Sequence, residues 1–284
     1  MSHVVGIDFG TTNSSIAYVE SGRPVIIPNT RGNRLTPSIV TYLKDRVLVG
    51  EPAKSQQIVN AERTISMIKR YMGKDYIFEI NGRKLHPVDI ASMVFKKLKE
   101  DAEEYLGESL SHCVVSVPAY YSDRQRQDIK LAAESCGFKV ERMINEPTAA
   151  CLAYGVHKNE SGYVMVFDIG GGTYDVSLLE IGEGVFEVRA SCGENELGGE
   201  DFDRRIMEYV IERYKENEGI DLCEDKAALQ KLKDAAEEAK KTLSQEEITE
   251  ISVPFITADE KGPKHLDMEI TRELFESLIN DLLE

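Results

Sequence analysis

The segment "GIDFGTTNSSIAYVE" near the start of the chain is written a second time as "VFDIGGGTYDVSLLE". Superposed, Asp8 falls on Asp168, Gly10 on Gly170 and Glu20 on Glu180, with Thr12-Asn13 opposite Gly172-Thr173. Both copies read as β-hairpins. Val4–Ile7 and Ser15–Val19 flank the first turn; Val164–Phe167 and Asp175–Ile181 flank the second. β-Branched and aromatic residues load the arms, and Gly and Thr load the tips. A third strand is expected after each hairpin, at Val25–Pro28 and Val185–Cys192. A chain that repeats such a frame folds as two related halves, and what lies between the copies should repeat too.

It does so in part. The first half continues into a helix, "VDIASMVFKKLKEDAEEYLG", a strand, "CVVSVP", and a helix that starts at a capping box (Ser122 with Gln125) and ends at Gly137. "NEPTAACLAYG" is a further helix, with Pro147 in its first turn and Gly155 at its exit. In the second half "GEDFDRRIMEYVIERYKENEG" is a helix closed by Gly219. Another follows, in which Leu229, Leu232, Ala236, Ala239 and Leu243 share one face. Strands at Ile248–Phe255 and Leu266–Ile270 precede a last helix with an apolar stripe through Leu274, Leu278 and Leu282. No counterpart of "CVVSVPAYY" follows it, so the second half is expected to be incomplete.

Composition narrows the class. Of 284 residues 42% are hydrophobic and 30% charged, a globular balance, and the length suggests two domains. A formal net charge of −16 speaks against nucleic acid or an anionic membrane as partner. The five cysteines are scattered without a C-x-x-C pair, which suits reduced thiols in a cytoplasmic protein. No apolar run reaches membrane-spanning length. His3, His86, His112, His157 and His265 are isolated and are assigned no role.

Each duplicated turn presents backbone N–H groups beside Gly and Thr, the arrangement that binds anions. Two such turns would grip a phosphate chain from both sides. Asp8, Asp168 and Asp175 place carboxylates at their mouths, where a hydrated Mg²⁺ would suit. A single copy would be equally well read as Asp and Gly capping a turn; the duplication favours the phosphate reading. Neither G-x-x-x-x-G-K-[ST] nor a helix-opening G-x-G-x-x-G is present.

"GIDFGTTNSSIAY", "GNRLTPSIV", "VGEPAKSQ", "MIKRYMG", "VVSVPAYYSDRQRQ", "INEPTAACLAYG", "VFDIGGGTYDVS" and "LGGEDFD" together resemble the nucleotide-binding domain of the bacterial seventy-kilodalton heat-shock (DnaK-type) chaperone family. The stretch after "RYM" resembles the compact form found in Gram-positive bacteria. The resemblance implies an α/β, actin-like (ribonuclease H-like) fold of two duplicated lobes with ATP in the cleft between them. Lobe I would span 1–160, with an inserted subdomain at about 30–90. Lobe II would span 161–284, with an insertion at about 203–270, and would be incomplete at its C-terminal end, with no substrate-binding domain.

The resemblance also implies roles. Gly10, Thr11, Thr12 and Asn13 form the first phosphate loop, and Gly170, Gly171, Gly172 and Thr173 the second. Asp8, Asp168 and Asp175 hold hydrated Mg²⁺ and K⁺. Lys69, Glu146, Thr173 and Asp175 serve hydrolysis of ATP to ADP and phosphate. Lys69 alone would read as a surface lysine, and Glu146 as an acid suited to a helix N-terminus. Glu237, Lys240, Lys241 and Ser244 correspond to the adenosine clamp, with Lys241 standing where many relatives carry Arg. Pro118 and Arg126 match a relay of nucleotide state; Arg142, Asn145 and Thr148 match part of a surface for J-domain co-chaperones and the interdomain linker. A nucleotide exchange factor is a further implied partner, and unfolded polypeptide is implied only for a full-length parent. A catalytically impaired nucleotide- or co-chaperone-binding remnant is the alternative reading. A sugar or acetate kinase or an actin-like filament protein of the same superfold is disfavoured by "INEPTAA", "VPAYYSDRQRQ" and "LGGEDFD".

Overall fold

A computed structural model describes residues 3–57, 60–155, 161–182, 184–194, 196–260 and 262–284. The chain divides into two compact units, Met1–Glu196 and Leu197–Glu284. The lobe boundary expected at 160 falls outside the described residues.

The first unit is built on a mixed sheet in the strand order Lys139–Asn145, His112–Val117, Val4–Asp8, Asn13–Glu20, Arg23–Ile26. Val4–Asp8 runs parallel to His112–Val117, which runs parallel to Lys139–Asn145. Parallel pairing needs a crossover, and the helices supply it: Pro87–Leu106 before His112–Val117, and Asp123–Ser135 before Lys139–Asn145. Both helices start on capping boxes, His86 with Asp89 and Ser122 with Gln125. The core lies between sheet and helices. Val5, Ile7, Val94, Phe95, Leu98, Val115 and Ile129 are almost wholly buried, and Phe9 stacks on Phe95 with ring centroids 4.9 Å apart.

The second hairpin, Gly162–Ile169 with Tyr174–Gly182, heads a three-stranded antiparallel sheet closed by Val185–Glu194. Its register copies the first. Ile7 faces Ile16 and Asp8 faces Ser15, just as Phe167 faces Val176 and Asp168 faces Asp175. The outer edge of Val4–Asp8 carries a parallel strand; among the described residues nothing pairs the corresponding edge of Gly162–Ile169. That strand exposes Tyr163, Met165, Phe167 and Ile169, its alternate side chains.

The second unit packs helices Gly199–Glu218 and Lys226–Leu243 on the hairpin Ile248–Asp259/Gly262–Thr271, with Arg272–Leu283 following. Ile206, Val210, Leu232, Ala236, Leu243, Ile251, Leu266 and Ile270 form its core. Asp225 caps the 226–243 helix through the amides of Ala227 and Ala228.

Several expectations shift. Lys139–Asn145 is a strand that the sequence does not announce, because Lys139, Glu141 and Arg142 break any period-2 pattern. The third strand of the first half is Arg23–Ile26, two residues earlier than expected. The buried face of the 226–243 helix uses Ala228 and not Leu229, since either satisfies the 3–4 spacing. On the last helix the stripe of Leu274, Leu278 and Leu282 is half-buried, and Ile279 is its one buried residue. Cys113 and Cys151 are buried, Cys136 half-buried, Cys192 and Cys223 exposed, and all five are free thiols. No helix among the described residues is long and apolar enough to cross a membrane.

Candidate functional site

Three neighbouring parallel strands end at one place, and each delivers a polar residue there. Asp8 closes the first, Ser116 lies near the end of the second, and Glu146 follows the third as the first residue of helix Glu146–Tyr154. Ligands of open α/β sheets gather at such carboxyl ends. Ser116 Oγ donates to Asp8 Oδ1 at 3.0 Å and fixes that carboxylate. The cavity before them measures about 490 Å³ and is lined by Asp8, the turn 10–13, Lys69, Glu146, Asp168, Gly170, Gly171 and Thr173. Ala149, Ala150 and Ala153 floor it, and their methyl side chains keep the space open.

The two glycine turns fit against each other. A Cβ on Gly171 would stand 2.1 Å from Thr12 Oγ1, and one on Gly172 would stand 2.7 Å from Thr11 Cγ2. Within the first turn, a Cβ on Gly10 would stand 2.0 Å from the Asn13 carbonyl oxygen. Only hydrogen at these positions permits the approach. Arg70 locks the second turn from outside: its Nε and Nη2 both donate to the Gly172 carbonyl.

Lys69 reaches the cavity from the short turn Ile68–Tyr71, which is entered through Met67 in the left-handed conformation (φ 55°). A non-glycine residue there holds local strain of about 1 kcal/mol, a feature that gathers at functional sites. Lys69 Nζ lies 2.8 Å from Glu146 Oε1, with both side chains largely buried. Tyr121 Oη donates to the Lys69 carbonyl at 3.3 Å and steadies the turn.

Negative charge is in surplus. Burial works to lower the Lys69 ammonium, but Glu146, Tyr121 and Asp8 outweigh it and hold the group above its usual range. Burial raises Glu146, with Lys69 opposing and Asp8 and Asp168 adding to the rise. Asp168 is raised by burial and by Asp8, against the pull of Lys69. Asp175 is pushed up to about 6 by burial, then by Glu146 and by Asp168, its cross-strand neighbour. One ammonium does not neutralise this set, so each group keeps its proton more readily than it would in water.

A nucleotide with Mg²⁺ fits these residues. Thr11 Oγ1 and Asp175 Oδ1 are buried without a hydrogen-bond partner, and a divalent cation would relieve the crowded carboxylates. Among the described residues no three His, Cys, Asp or Glu side chains stand close enough to hold a metal directly.

Of the residues singled out in the sequence, Asp8, Gly10, Thr11, Thr12, Asn13, Lys69, Glu146, Asp168, Gly170, Gly171 and Thr173 line the cavity. Gly172 and Asp175 are not part of its lining, and the Asp175 carboxylate is hydrogen-bonded to Tyr120. Glu237, Lys240, Lys241 and Ser244 belong to the second unit. There Lys240 Nζ lies 2.7 Å from the buried Asp203 carboxylate and donates to the Gly199 carbonyl, leaving one of its three N–H groups. Lys241 pairs with Glu237 at 2.7 Å, and Ser244 Oγ lies 3.5 Å from the Lys240 carbonyl. Arg126 binds the carbonyls of Pro118, Ala119 and Tyr121 and reaches Asn145 Oδ1 at 2.9 Å. Arg142 is exposed and Thr148 half-buried. Sequence reasoning missed Ser116, Arg70 and the alanine floor. The alanines recur at helical spacing within "EPTAACLA", a signal that was there to read.

Paired glycine turns, a buried Lys–Glu pair and carboxylates at the ends of parallel strands define a nucleotide-binding domain of the phosphate-gripping α/β class. The sequence matches the Hsp70 protein family over residues 4–80 and 77–284. The chain belongs to the Hsp70 family, whose nucleotide-binding domains share an actin-like ATPase fold and serve molecular chaperones.

Proposed function

We propose that this chain is the ATP-binding and ATP-hydrolysing domain of a DnaK-type chaperone. The observation that carries the reading is the contact of Gly171 with Thr12 beside the buried Lys69–Glu146 pair. It sets two amide-rich turns on the same cavity as an ammonium and a carboxylate.

On this reading the amides of 10–13 and 171–173 hold the phosphate chain, the Gly170 amide closing its turn on the Thr173 carbonyl, and the Thr11 and Thr173 hydroxyls donate to the phosphate oxygens. Lys69 stands at the γ-phosphate, where its charge matches the charge that spreads over the γ-oxygens. Glu146, kept in place by Lys69, accepts a hydrogen bond from the attacking water or its neighbour. Asp8, Asp168 and Asp175 would hold hydrated Mg²⁺ and K⁺. Bound Mg²⁺ supplies neutralisation of phosphate charge. No covalent nucleophile is required.

The matched hairpin registers support lobes at 1–160 and 161–284 as the duplicated halves. We assign Glu237, Lys240, Lys241 and Ser244 to the adenosine side, and Arg126 with Pro118, Arg142, Asn145 and Thr148 to signalling toward J-domain co-chaperones. A nucleotide exchange factor completes the proposed partners.

Calorimetric titration with Mg-ADP and Mg-ATP, followed by single-turnover hydrolysis, tests the reading. Micromolar or tighter binding that Asp168→Ala abolishes, together with ATP decay, is the expected result. Binding without decay would point to an impaired remnant, and a folded sample that binds neither nucleotide would sink the proposal.

A further inference from the structure

A groove of about 360 Å³ on the first unit shares no residue with the nucleotide cavity, and two strand edges line it. One is Thr64–Ile65, an outer strand of a three-stranded sheet centred on Val40–Tyr42, with Val47–Val49 on the far side. The other is Phe78–Ile80, which pairs with Arg83–Leu85. Among the described residues neither edge has a second neighbour.

The alternation of antiparallel ladders fixes which backbone groups face outward. Asn81 and Gly82 form a two-residue turn with φ of 52° and 74°, so Ile80 and Arg83 exchange both of their hydrogen bonds. Phe78 and Leu85 then do the same, and Glu79 turns its N–H and C=O away from Lys84. On the facing edge, the Leu43 amide donates to the Arg46 carbonyl and the Gly50 amide to the Ile39 carbonyl, which makes Thr41 and Leu48 a bonded pair. Val40 therefore bonds Ile65, and Thr64 turns its N–H and C=O outward. The Thr41 and Thr64 hydroxyls, 2.8 Å apart, mark the closer, non-bonded pair. Thr64 and Glu79 both line the groove, and among the described residues their outward main-chain groups meet no partner.

The side chains define what suits this space. Tyr71, Tyr76 and Phe78 pack with ring centroids 4.6–5.0 Å apart as an apolar wall, and Ile77 adds an exposed aliphatic side chain. The charges in the lining are all negative. Among the described residues Glu62 makes no ion pair; Glu79 lies 4.0 Å from Lys84 with both side chains exposed, a pair worth little.

We propose that the groove takes an extended segment of a partner protein as an added strand on the Phe78–Ile80 edge. Alternate apolar side chains of that segment lie on the aromatic wall, and a Lys or Arg meets Glu62 and Glu79. Main-chain bonds at a strand edge supply affinity, while side-chain pockets and charge select the sequence. A net charge of −16 repels a second copy of this chain from the site. The proposal is independent of ATP cleavage.

The test titrates the whole chain, by fluorescence anisotropy, with a labelled heptapeptide that alternates Val and Thr between terminal lysines. Saturable submillimolar binding is expected, weaker by about fivefold or more when the terminal residues are glutamates. Of two peptides N-methylated on one or the other alternate set of amides, at least one should lose binding. Glu79→Ala should weaken the lysine peptide about threefold, the worth of one exposed charge pair. Glu79→Pro should weaken it about tenfold, because the outward N–H is lost as well. Lys84→Pro removes the equivalent N–H from the opposite edge of the same hairpin and should leave binding unchanged. Should Glu79→Pro fail to fold, Glu79→Ala and the N-methylated peptides still decide. Absent submillimolar binding, equal losses in the two proline variants, or full binding of both N-methylated peptides would overturn the proposal. Dimerisation of the unaltered chain in sedimentation, abolished by Glu79→Pro and kept by Lys84→Pro, would give the edge to a second copy and overturn it too.

Discussion

Lys69 Nζ and Glu146 Oε1 lie 2.8 Å apart at side-chain exposures of 7% and 14%. Removing one member of a buried pair strands the other. Here Glu146 is already raised toward its neutral form by burial and by Asp8 and Asp168, so it can take up a proton when Lys69 is lost. Lys69→Met should therefore cost only about 1–3 kcal/mol of stability, less than the 3–5 typical of a broken buried pair. ATP cleavage should fall by at least about a hundredfold, because a preorganised charge at the γ-phosphate is gone. Thermal melting and single-turnover kinetics on one preparation measure both effects.

The Arg70 fork on Gly172 predicts a different pattern. Lysine offers one compact donor and cannot reproduce two parallel N–H bonds from a planar group. Arg70→Lys and Arg70→Ala should each weaken Mg-ADP binding by about tenfold, the worth of roughly one net hydrogen bond. If Arg70→Lys bound like the unaltered chain, the fork would have no part in shaping the second turn.

Gly171→Ala tests the contact between the two turns. Its Cβ would meet Thr12 Oγ1 at 2.1 Å, so the turns must part. Mg-nucleotide affinity is expected to drop by about tenfold or more, and the melting temperature by a few degrees, since overpacking costs about 1–3 kcal/mol. Gly182→Ala is the control, because nothing lies within 4 Å of a Cβ there. Equal affinity in the two variants would refute the interlocked cradle.

Asp175 gives the site a pH dependence of defined sign. Its carboxyl is raised from 3.8 to about 6, so the folded chain binds a proton that the unfolded chain has released. This group's contribution to stability is full below about pH 4 and is lost as pH rises to about 6. Asp175→Asn should remove the corresponding part of the stability–pH curve, a difference of about 1–3 kcal/mol across that window. Mg-nucleotide binding should run the opposite way and weaken below pH 6, as the protonated carboxyl ceases to attract the cation. Denaturant titrations between pH 4 and 8, with and without Mg-ADP, separate the two trends.

How much could be read before folding depended on whether the determinant was local. The hairpin arms, the capping box at Ser122 with Gln125, and the glycines that end helices at Gly137, Gly155 and Gly219 obey rules that span a few residues. The Lys139–Asn145 strand escaped because its residues alternate poorly and its order comes from pairing with His112–Val117. Leu229 was exchanged for Ala228 because one helical period admits either, and only packing chooses.

The sequence by itself determined that two glycine-rich turns would form and that each would carry an aspartate. Turn chemistry depends on which residues tolerate close backbone approach, and the duplication shows it twice. Only the tertiary structure decided what those turns would face. Lys69 finds Glu146 across 77 residues, and Arg70 finds the Gly172 carbonyl across 102. The second partner is a backbone atom that every residue possesses. No pattern of side chains can mark it in advance; the packing of strands and loops alone brings it within reach.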